Sequence, residues 1–102
     1  MKPPTKATLR KYGLSLAKWQ AMWEYQAGCC AICKRSGKPL QIDHHHAKGW
    51  QSMKPERRVL YVRQLVCWPC NRFLLGPVRY GMTPERYRRA ADYLEKWGYL
   101  NE

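Results

Sequence analysis

The first pattern along the chain is an apolar stripe with helical spacing within residues 14–28. Ser15 is a favourable N-cap, Leu14 can pack on the helix from just outside it, and Gly28 is typical of a helix end. The segment therefore predicts an amphipathic helix whose stripe faces the core. The stripe consists of Leu16, Trp19, Met22 and Trp23.

A second helical pattern lies near the C-terminus, over residues 83–98. Thr83 suits the N-cap, Pro84 suits the first helical position, and Gly98 suits the end of the helix. An earlier stretch, residues 72–76, predicts a short helix that ends at its glycine because a proline follows. The apolar face of the C-terminal helix comprises Tyr87, Ala90, Ala91, Leu94 and Trp97.

Between these helices the apolar positions alternate, as they do in a half-buried strand. Leu40 and Ile42 predict one face of a strand, and Asp43 lies on the other face. Residues 59–67 have strand-forming composition and predict the returning strand, whereas residues 47–58 predict an exposed, mobile loop. The expected fold is one α+β domain over the whole chain, with an N-terminal helix, a β-hairpin with a long connection, and C-terminal helices.

The large net charge of the chain indicates the class of its ligand. The 102 residues contain 19 Lys and Arg against 7 Asp and Glu, a formal net charge of +12. Such a field attracts polyanions, and nucleic acid is the usual partner because each neutralised phosphate releases a counterion. Residues 1–13 carry four of the cations and two prolines, which predicts a flexible basic arm.

Charge alone leaves other interpretations open. A solvated basic surface, association with a ribosome and binding to a membrane surface all fit it. The N-terminal residues contain no apolar core of a signal peptide, and no stretch approaches the roughly 20 apolar residues of a membrane span. These features predict a cytoplasmic protein with no membrane partner.

The five cysteines fall into two clusters, and their spacing predicts a structural zinc site. Two CxxC pairs, Cys30 with Cys33 and Cys67 with Cys70, can each direct two thiolates at one Zn²⁺. A cytosolic setting disfavours disulfides, and a thioredoxin-like pair would require a βαβ context that this chain lacks. Cys29 is left over as a free thiol. A closed shell of four thiolates stabilises a fold and does no chemistry.

An acid and all three histidines lie between the cysteine pairs, at residues 43–46. On a regular strand Asp43 and His45 would share one face and His44 and His46 the other, unless a bulge re-aims them. A carboxylate suits a hard divalent cation, and a neutral imidazole suits general-base work on water. A solvated loop or an incidental transition-metal site would also contain such residues.

Taken together, five motifs resemble a known family. They are KYGLS, QAGC, CAIC, DHHH and RQLVCWPCN, and the resemblance that they carry covers roughly residues 11–76. This arrangement resembles the endonuclease VII type of bacteriophage recombination endonuclease, a branch of the His-Me finger (HNH) nucleases. The resemblance implies a zinc-stapled ββα-metal domain whose zinc and catalytic core covers residues 14–76.

The resemblance also implies roles for individual residues. Asp43 and Asn71 would hold one Mg²⁺ or Mn²⁺, His44 would act as the general base, and His46 would contact the scissile phosphate. The implied reaction is hydrolysis of a DNA phosphodiester that leaves a 5′-phosphate and a 3′-hydroxyl. His45 departs from the pattern, because an acid is common at its position.

Basic and aromatic residues near this site are candidates for contacts with DNA. Arg63 and Arg72 flank it in sequence and could hold phosphates, although a solvated charge explains either one equally well. The connection before the second cysteine pair is longer than is usual in the family. Its candidates are Trp50, which could stack on a base or cover the hairpin, and the cations Lys54, Arg57 and Arg58.

The leading hypothesis is therefore a metal-dependent DNA endonuclease, phage-encoded and active in the host cytoplasm on duplex or branched DNA. A homodimer and a larger phage enzyme are both open as partners. Two other hypotheses are a non-catalytic zinc-finger module that binds nucleic acid and a subunit that recruits a partner through its C-terminal helix. Asp43, His44 and Asn71 distinguish them, because binding alone requires none of these residues.

Overall fold

The computed structural model of the protein describes residues 2–98 and has a small α+β fold, as expected. A short 3₁₀ turn covers Trp50–Ser52 and another covers Val59–Tyr61, while a π-helical turn, Cys70–Leu75, leads into a 3₁₀ segment, Gly76–Tyr80. The α-helices are α1 (Lys6–Tyr12), α2 (Leu16–Tyr25), α3 (Pro55–Arg58) and α4 (Pro84–Trp97), and the strands are β1 (Leu40–His44) and β2 (Val62–Cys67).

Strands β1 and β2 form the predicted antiparallel hairpin with a long connection. Leu40 pairs with Cys67 and Ile42 with Leu65, and the register then shifts between Ile42 and His44. This irregularity breaks the simple alternation of faces, since Ile42 and Asp43 are both buried. The predicted placement of Ile42 and Asp43 on opposite faces therefore fails here, and the alternative with a bulge that re-aims these residues is the one observed.

Helix α2 begins as the sequence predicts. The Ser15 hydroxyl oxygen accepts a hydrogen bond from the Lys18 N–H at 3.0 Å. The turn after the helix closes at Gly28, whose N–H donates to the Trp23 carbonyl at 3.0 Å with a φ of 69°. The buried ring of Trp19 stacks on Trp23.

The core is centred on this helix and the hairpin. One member of the predicted stripe, Leu16, is 54% exposed, so that part of the prediction was wrong. Leu16 lies in the first turn, where no neighbouring element covers it. The buried cluster comprises Leu9, Leu14, Trp19, Cys30, Leu40, Ile42, Leu65, Val66, Cys67 and Cys70.

The N-terminal segment is not a flexible arm along its length, as the sequence had predicted, because residues Lys6–Tyr12 form α1. Thr5 caps this helix through its side-chain oxygen, and Leu9 is buried in the core. The basic residues of the segment belong to a short amphipathic helix that Leu9 and Tyr12 pack against the domain.

The connection over residues 47–58 is also ordered, contrary to the mobile loop predicted. Trp50 is buried, and the guanidinium of Arg58 donates to the carbonyls of Trp50, Gln51 and Lys11 at 3.1–3.2 Å. These bonds tie the connection to itself and to the end of α1. The segment has the composition of a loop, and it is ordered because Arg58 donates hydrogen bonds to carbonyls distant from it in sequence.

Helix α4 has its predicted ends but not its predicted packing. Thr83 caps it and Gly98 follows its last residue. No residue of α4 is buried, and Leu94 and Trp97 are 60% and 46% exposed, so its apolar face does not enter the core of the described chain. Its Tyr87 hydroxyl donates to the carbonyl of Leu74.

The short helix predicted to end at Gly76 also differs from expectation. The helical path continues through Gly76–Tyr80 because Pro77 occupies the start of a 3₁₀ segment, where its missing N–H leaves no intrahelical hydrogen bond unmade. Within residues 2–98, no helix has the length and apolarity needed to cross a membrane.

We expect Gly13→Ala to destabilise the domain by more than Gly49→Ala. Both glycines have positive φ, 69° and 81°, so alanine costs each about 1–2 kcal/mol of backbone strain. Only at Gly13 would the new methyl group overlap a neighbour, the Pro55 carbonyl of α3. Urea unfolding of the zinc-loaded variants measures the difference. Equal losses would show that α1 and α3 do not need this close approach.

Candidate active site and zinc centre

Four cysteine side chains converge at one end of the hairpin. The sulfurs of Cys30, Cys33, Cys67 and Cys70 all lie within 4.8 Å of one another, and those of Cys33 and Cys67 are 3.7 Å apart. Four thiolates around a tetrahedral Zn²⁺ at about 2.3 Å lie about 3.8 Å from each other. The cluster thus has the ligand type, number and spacing of a structural zinc site, as the sequence predicted.

Local backbone structure brings each pair of sulfurs together. The first pair lies in a turn closed by the Lys34 N–H, which donates to the Cys30 carbonyl at 3.0 Å. Lys34 has a φ of 64°, which completes the reversal. The second pair spans the end of β2 and the start of the π-helical turn, with Pro69 between its cysteines. The ligands therefore join α2, the hairpin and the π-helical turn.

The thiols differ in how readily they ionise. Burial disfavours the Cys30 thiolate, but the backbone N–H groups of Cys67, Cys33 and Ile32 outweigh this and lower its pKa to about 6. Burial and the neighbouring cysteines raise the pKa of Cys70 to about 12. A dication among the sulfurs favours the ionised form of every ligand, so metal binding releases protons. Cys29 lies outside the cluster and its thiol contacts the Ala27 carbonyl.

Asp43 is paired with an arginine. The Arg63 Nε donates to Asp43 Oδ2 at 2.6 Å and one Arg63 terminal nitrogen donates to Oδ1 at 3.0 Å. The same nitrogen donates to the His44 carbonyl at 3.2 Å. The Asp43 side chain is 6% exposed and that of Arg63 is 40% exposed. In this arrangement Arg63 neutralises the buried carboxylate and fixes the backbone at His44.

His44 lies at the end of β1 in an aromatic enclosure. Its ring stacks on Trp50 with centroids 4.0 Å apart, and the rings of His46 and Tyr12 lie at 4.6 Å and 5.4 Å. Burial, followed by the charge of His46, lowers the pKa of His44 to about 4. The imidazole is therefore neutral near pH 7.

The predicted proximity of His44 and His46 is present, although its cause differs from the prediction. Strand β1 ends at His44, so His46 lies beyond the regular strand. The chain continues close to β2 because the His45 N–H donates to the Tyr61 carbonyl at 2.9 Å. The ring of His45 faces Tyr61 rather than the His44 enclosure.

Trp50 and Arg58 of the connection over residues 47–58 have structural roles beside His44. Two roles were left open for Trp50, and its position fits the one in which it covers the hairpin. Its ring is buried and stacks on His44, and the Arg58 guanidinium lies 5.0 Å from the centroid of the Trp50 ring. The guanidinium N–H groups of Arg58 donate hydrogen bonds to backbone carbonyls. Lys54 and Arg57 are exposed, in positions open to solvent and to a polyanion.

Asn71 and Arg72 line a cleft beside the hairpin. The Asn71 side-chain N–H donates to Gln41 Oε1 at 2.9 Å, which turns the amide oxygen away from that contact. His46 lines the same cleft. The sequence analysis missed four of its lining residues, Gln41, Trp68, Gly76 and Arg79. Arg79 could not be placed because the prediction ended the preceding helix before Pro77, whereas the continued helical path carries Arg79 back to the cleft.

Comparisons with known proteins agree with the resemblance seen in the motifs. A family model described as recombination endonuclease VII matches residues 5–96. The chain belongs to the recombination endonuclease VII family. The description of this family names an endonuclease. The matched residues also include the start of α1 and most of α4, which lie outside the motifs.

Two curated relatives of this endonuclease VII family member come from bacteriophages. The Gene 59 protein of Mycobacterium phage D29 is 36% identical over 91 residues, which cover 86% of this chain and 47% of the relative. The Gene 59 protein of Mycobacterium phage L5 is 34% identical over 89 residues, or 84% of this chain and 46% of the relative. The chain thus spans about half the length of these relatives. No solved structure matches it.

We expect removal of one cluster thiolate to unfold the domain. Cys67→Ser should lower bound zinc well below one equivalent per chain and abolish cooperative thermal unfolding, because structural zinc contributes on the order of 10 kcal/mol to such folds. Cys29→Ser is the matched control and should keep both properties. Zinc analysis and circular dichroism measure them. Unchanged folding of Cys67→Ser would contradict a structural role for the cluster.

We expect Arg63→Gln to destabilise the zinc-loaded protein by about 2 kcal/mol, because it leaves the Asp43 carboxylate buried without its ionic partner. Adding Asp43→Asn to Arg63→Gln should restore part of the loss. Arg89→Gln is the control, since it removes the exposed Arg89–Glu85 ion pair and should change stability by less than about 0.5 kcal/mol. Urea unfolding would refute the pairing if the two losses were equal.

Proposed function

We propose that the chain is a metal-dependent DNA endonuclease of the His-Me finger (HNH) type, with His44 as its general base. The observation that carries this proposal is the enclosure of His44, a neutral imidazole whose ring and backbone are both fixed, in a chain of an endonuclease family. A general base needs a free lone pair at the working pH and a defined position. His44 meets both requirements.

The phosphate-binding part of the proposed site is the neighbouring cleft. His46 lines it with Asn71, and Arg72 and Arg79 add two guanidinium groups. Burial and then the charge of Arg79 lower the pKa of His46. Because His46 and Arg79 line the same cleft, both can act on one anion that enters it. We infer that His46 contacts the scissile phosphate and that the arginines neutralise it.

For the catalytic ion, we propose that Asp43 and Asn71 hold Mg²⁺ or Mn²⁺ through a carboxylate and an amide oxygen. These hard oxygens fit such a cation in type. A carboxylate offers about four lone-pair sites and Arg63 uses two, so a further ligand interaction is chemically allowed. When bound, the ion would supply charge stabilisation to the phosphoryl oxygens.

In the proposed reaction, His44 accepts the proton of the attacking water while His46 and the arginines stabilise the negative charge that grows on the phosphate. The oxygen of the water forms a bond to phosphorus as the bond between phosphorus and the 3′ oxygen breaks. The 3′ oxygen takes up a proton and leaves as the 3′-hydroxyl, and the phosphate stays on the 5′ oxygen of the next nucleotide as the 5′-phosphate.

A second function is favoured by one specific observation. Both oxygens of Asp43 accept hydrogen bonds from Arg63, so a cation would have to approach a carboxylate that is already neutralised. This arrangement suits a non-catalytic zinc-stapled module that binds nucleic acid through its +12 charge. The family assignment and the position of His44 favour the nuclease over this alternative.

For its context, we propose that the domain acts on duplex or branched DNA in the host cytoplasm of a phage. The exposed apolar face of α4, with Leu94 and Trp97, is a surface through which a homodimer or a larger phage enzyme could be recruited. The greater length of the curated relatives is consistent with additional parts in such proteins.

We expect the zinc-loaded protein to convert supercoiled plasmid to nicked or linear DNA with Mg²⁺ or Mn²⁺, and His44→Ala to lower the rate at least about 100-fold, as loss of a general base does. His44→Gln tests the same role with a side chain that can still pack on Trp50. His45→Ala is the matched control, because its ring faces Tyr61, and it should stay within a few-fold of the parent.

Zinc content and DNA binding of every variant must match those of the parent for this comparison. With a pKa of about 4, His44 stays unprotonated as the pH falls from 8 to 6, so its protonation should not lower the rate in that range. If the parent binds DNA but cleaves it with neither Mg²⁺ nor Mn²⁺, the proposed nuclease activity is wrong and the binding module is supported.

A further inference from the structure

Two aromatic side chains are exposed on the second cysteine turn. Trp68 lies between Cys67 and Cys70 and is 51% exposed, and Phe73 in the following π-helical turn is 62% exposed. Their rings meet edge to face with centroids 5.5 Å apart. Trp68 thus leaves much of its surface in water, whereas the core of the described chain uses Trp19 and Trp50.

The backbone beneath Trp68 is held on both sides. Cys67 and Cys70 belong to the four-cysteine cluster, and Pro69, with a φ of −59°, restricts the link between them. Contact with Phe73 further limits the orientations of the indole. A ring held in this way loses little conformational entropy when a flat ligand stacks on it.

The surroundings of Trp68 indicate which flat ligand this would be. Trp68 lines the cleft that also contains His46, Asn71, Arg72 and Arg79. The two arginines provide positive charge for phosphates, while the indole provides an apolar surface beside them. A phosphate next to a planar base is the chemistry of a nucleotide within a strand, and stacking combined with a basic groove is how proteins bind single strands.

We propose that Trp68 stacks on an unpaired DNA base while Arg72 and Arg79 hold the adjoining phosphates. This inference rests on the proposed function, because it treats the cleft as the place where DNA lies. In a continuous duplex both faces of each internal base are covered by neighbouring bases. Trp68 therefore contributes to binding only where a base is unstacked, as in a single-stranded segment.

The test compares binding of a single-stranded oligonucleotide with binding of the duplex of the same sequence, by fluorescence anisotropy without Mg²⁺ or Mn²⁺. Trp68→Ala should raise Kd for the single strand on the order of 10-fold and for the duplex by less than about twofold. Trp68→Phe should keep most of the single-strand affinity. Trp97→Ala removes another exposed tryptophan, on α4, and should change neither value by more than about twofold.

A direct readout of stacking separates this role from a structural one. A 2-aminopurine in the single strand should lose fluorescence on binding the parent and much less on binding Trp68→Ala, with zinc content equal in both. Equal losses of affinity for both DNAs, or quenching that does not depend on Trp68, would overturn the inference.

Plasmid cleavage in the same preparations keeps the two proposals distinguishable. Cleavage by the parent together with quenching that is independent of Trp68 would overturn the stacking site and leave the nuclease standing. Stacking that depends on Trp68 without cleavage would uphold the site and overturn the nuclease.

Discussion

The four-cysteine cluster is the constraint on which the other parts of the domain depend. Two strands alone make a sheet of marginal stability, and a chain of this size buries too little apolar surface to hold one firmly. The cluster joins the turn after α2 to the end of β2, and Cys67 pairs with Leu40 at the start of β1. Fixing these sulfurs therefore fixes the register of the hairpin, and with it the distance along β1 to Asp43 and His44.

From this fixed end, the hairpin continues to an irregular end where the groups of the proposed site lie. The register shift after Ile42 buries the Asp43 carboxylate, which then requires the Arg63 guanidinium for charge balance. The Arg63 guanidinium also donates to the His44 carbonyl, so one side chain both neutralises Asp43 and fixes the backbone at His44. A change at Arg63 must therefore affect both stability and the position of His44.

The features that the sequence predicted correctly are those encoded within a few residues. Ser15 and Thr83 cap their helices, the CxxC spacing brings the sulfurs together, and the two strands pair as expected. The features that it did not predict depend on distant partners. Arg58 orders the connection through carbonyls up to 47 residues away, and Trp50 covers a histidine on another element. Charge and composition report none of these contacts, because they describe a segment without its neighbours.

The positive charge of the chain both attracts phosphate and lowers the pKa values of the two histidines in the proposed site. Before DNA binds, burial is the first cause of the lowered pKa of His44 and His46, and the cations around them, Arg63 and Arg79 among them, lower it further. The field that attracts phosphate thus also keeps the imidazoles unprotonated. An arriving phosphate opposes it and raises both pKa values. His46 is the more exposed of the two and lines the cleft, so it experiences more of that increase, while the enclosure around His44 keeps the proposed base neutral.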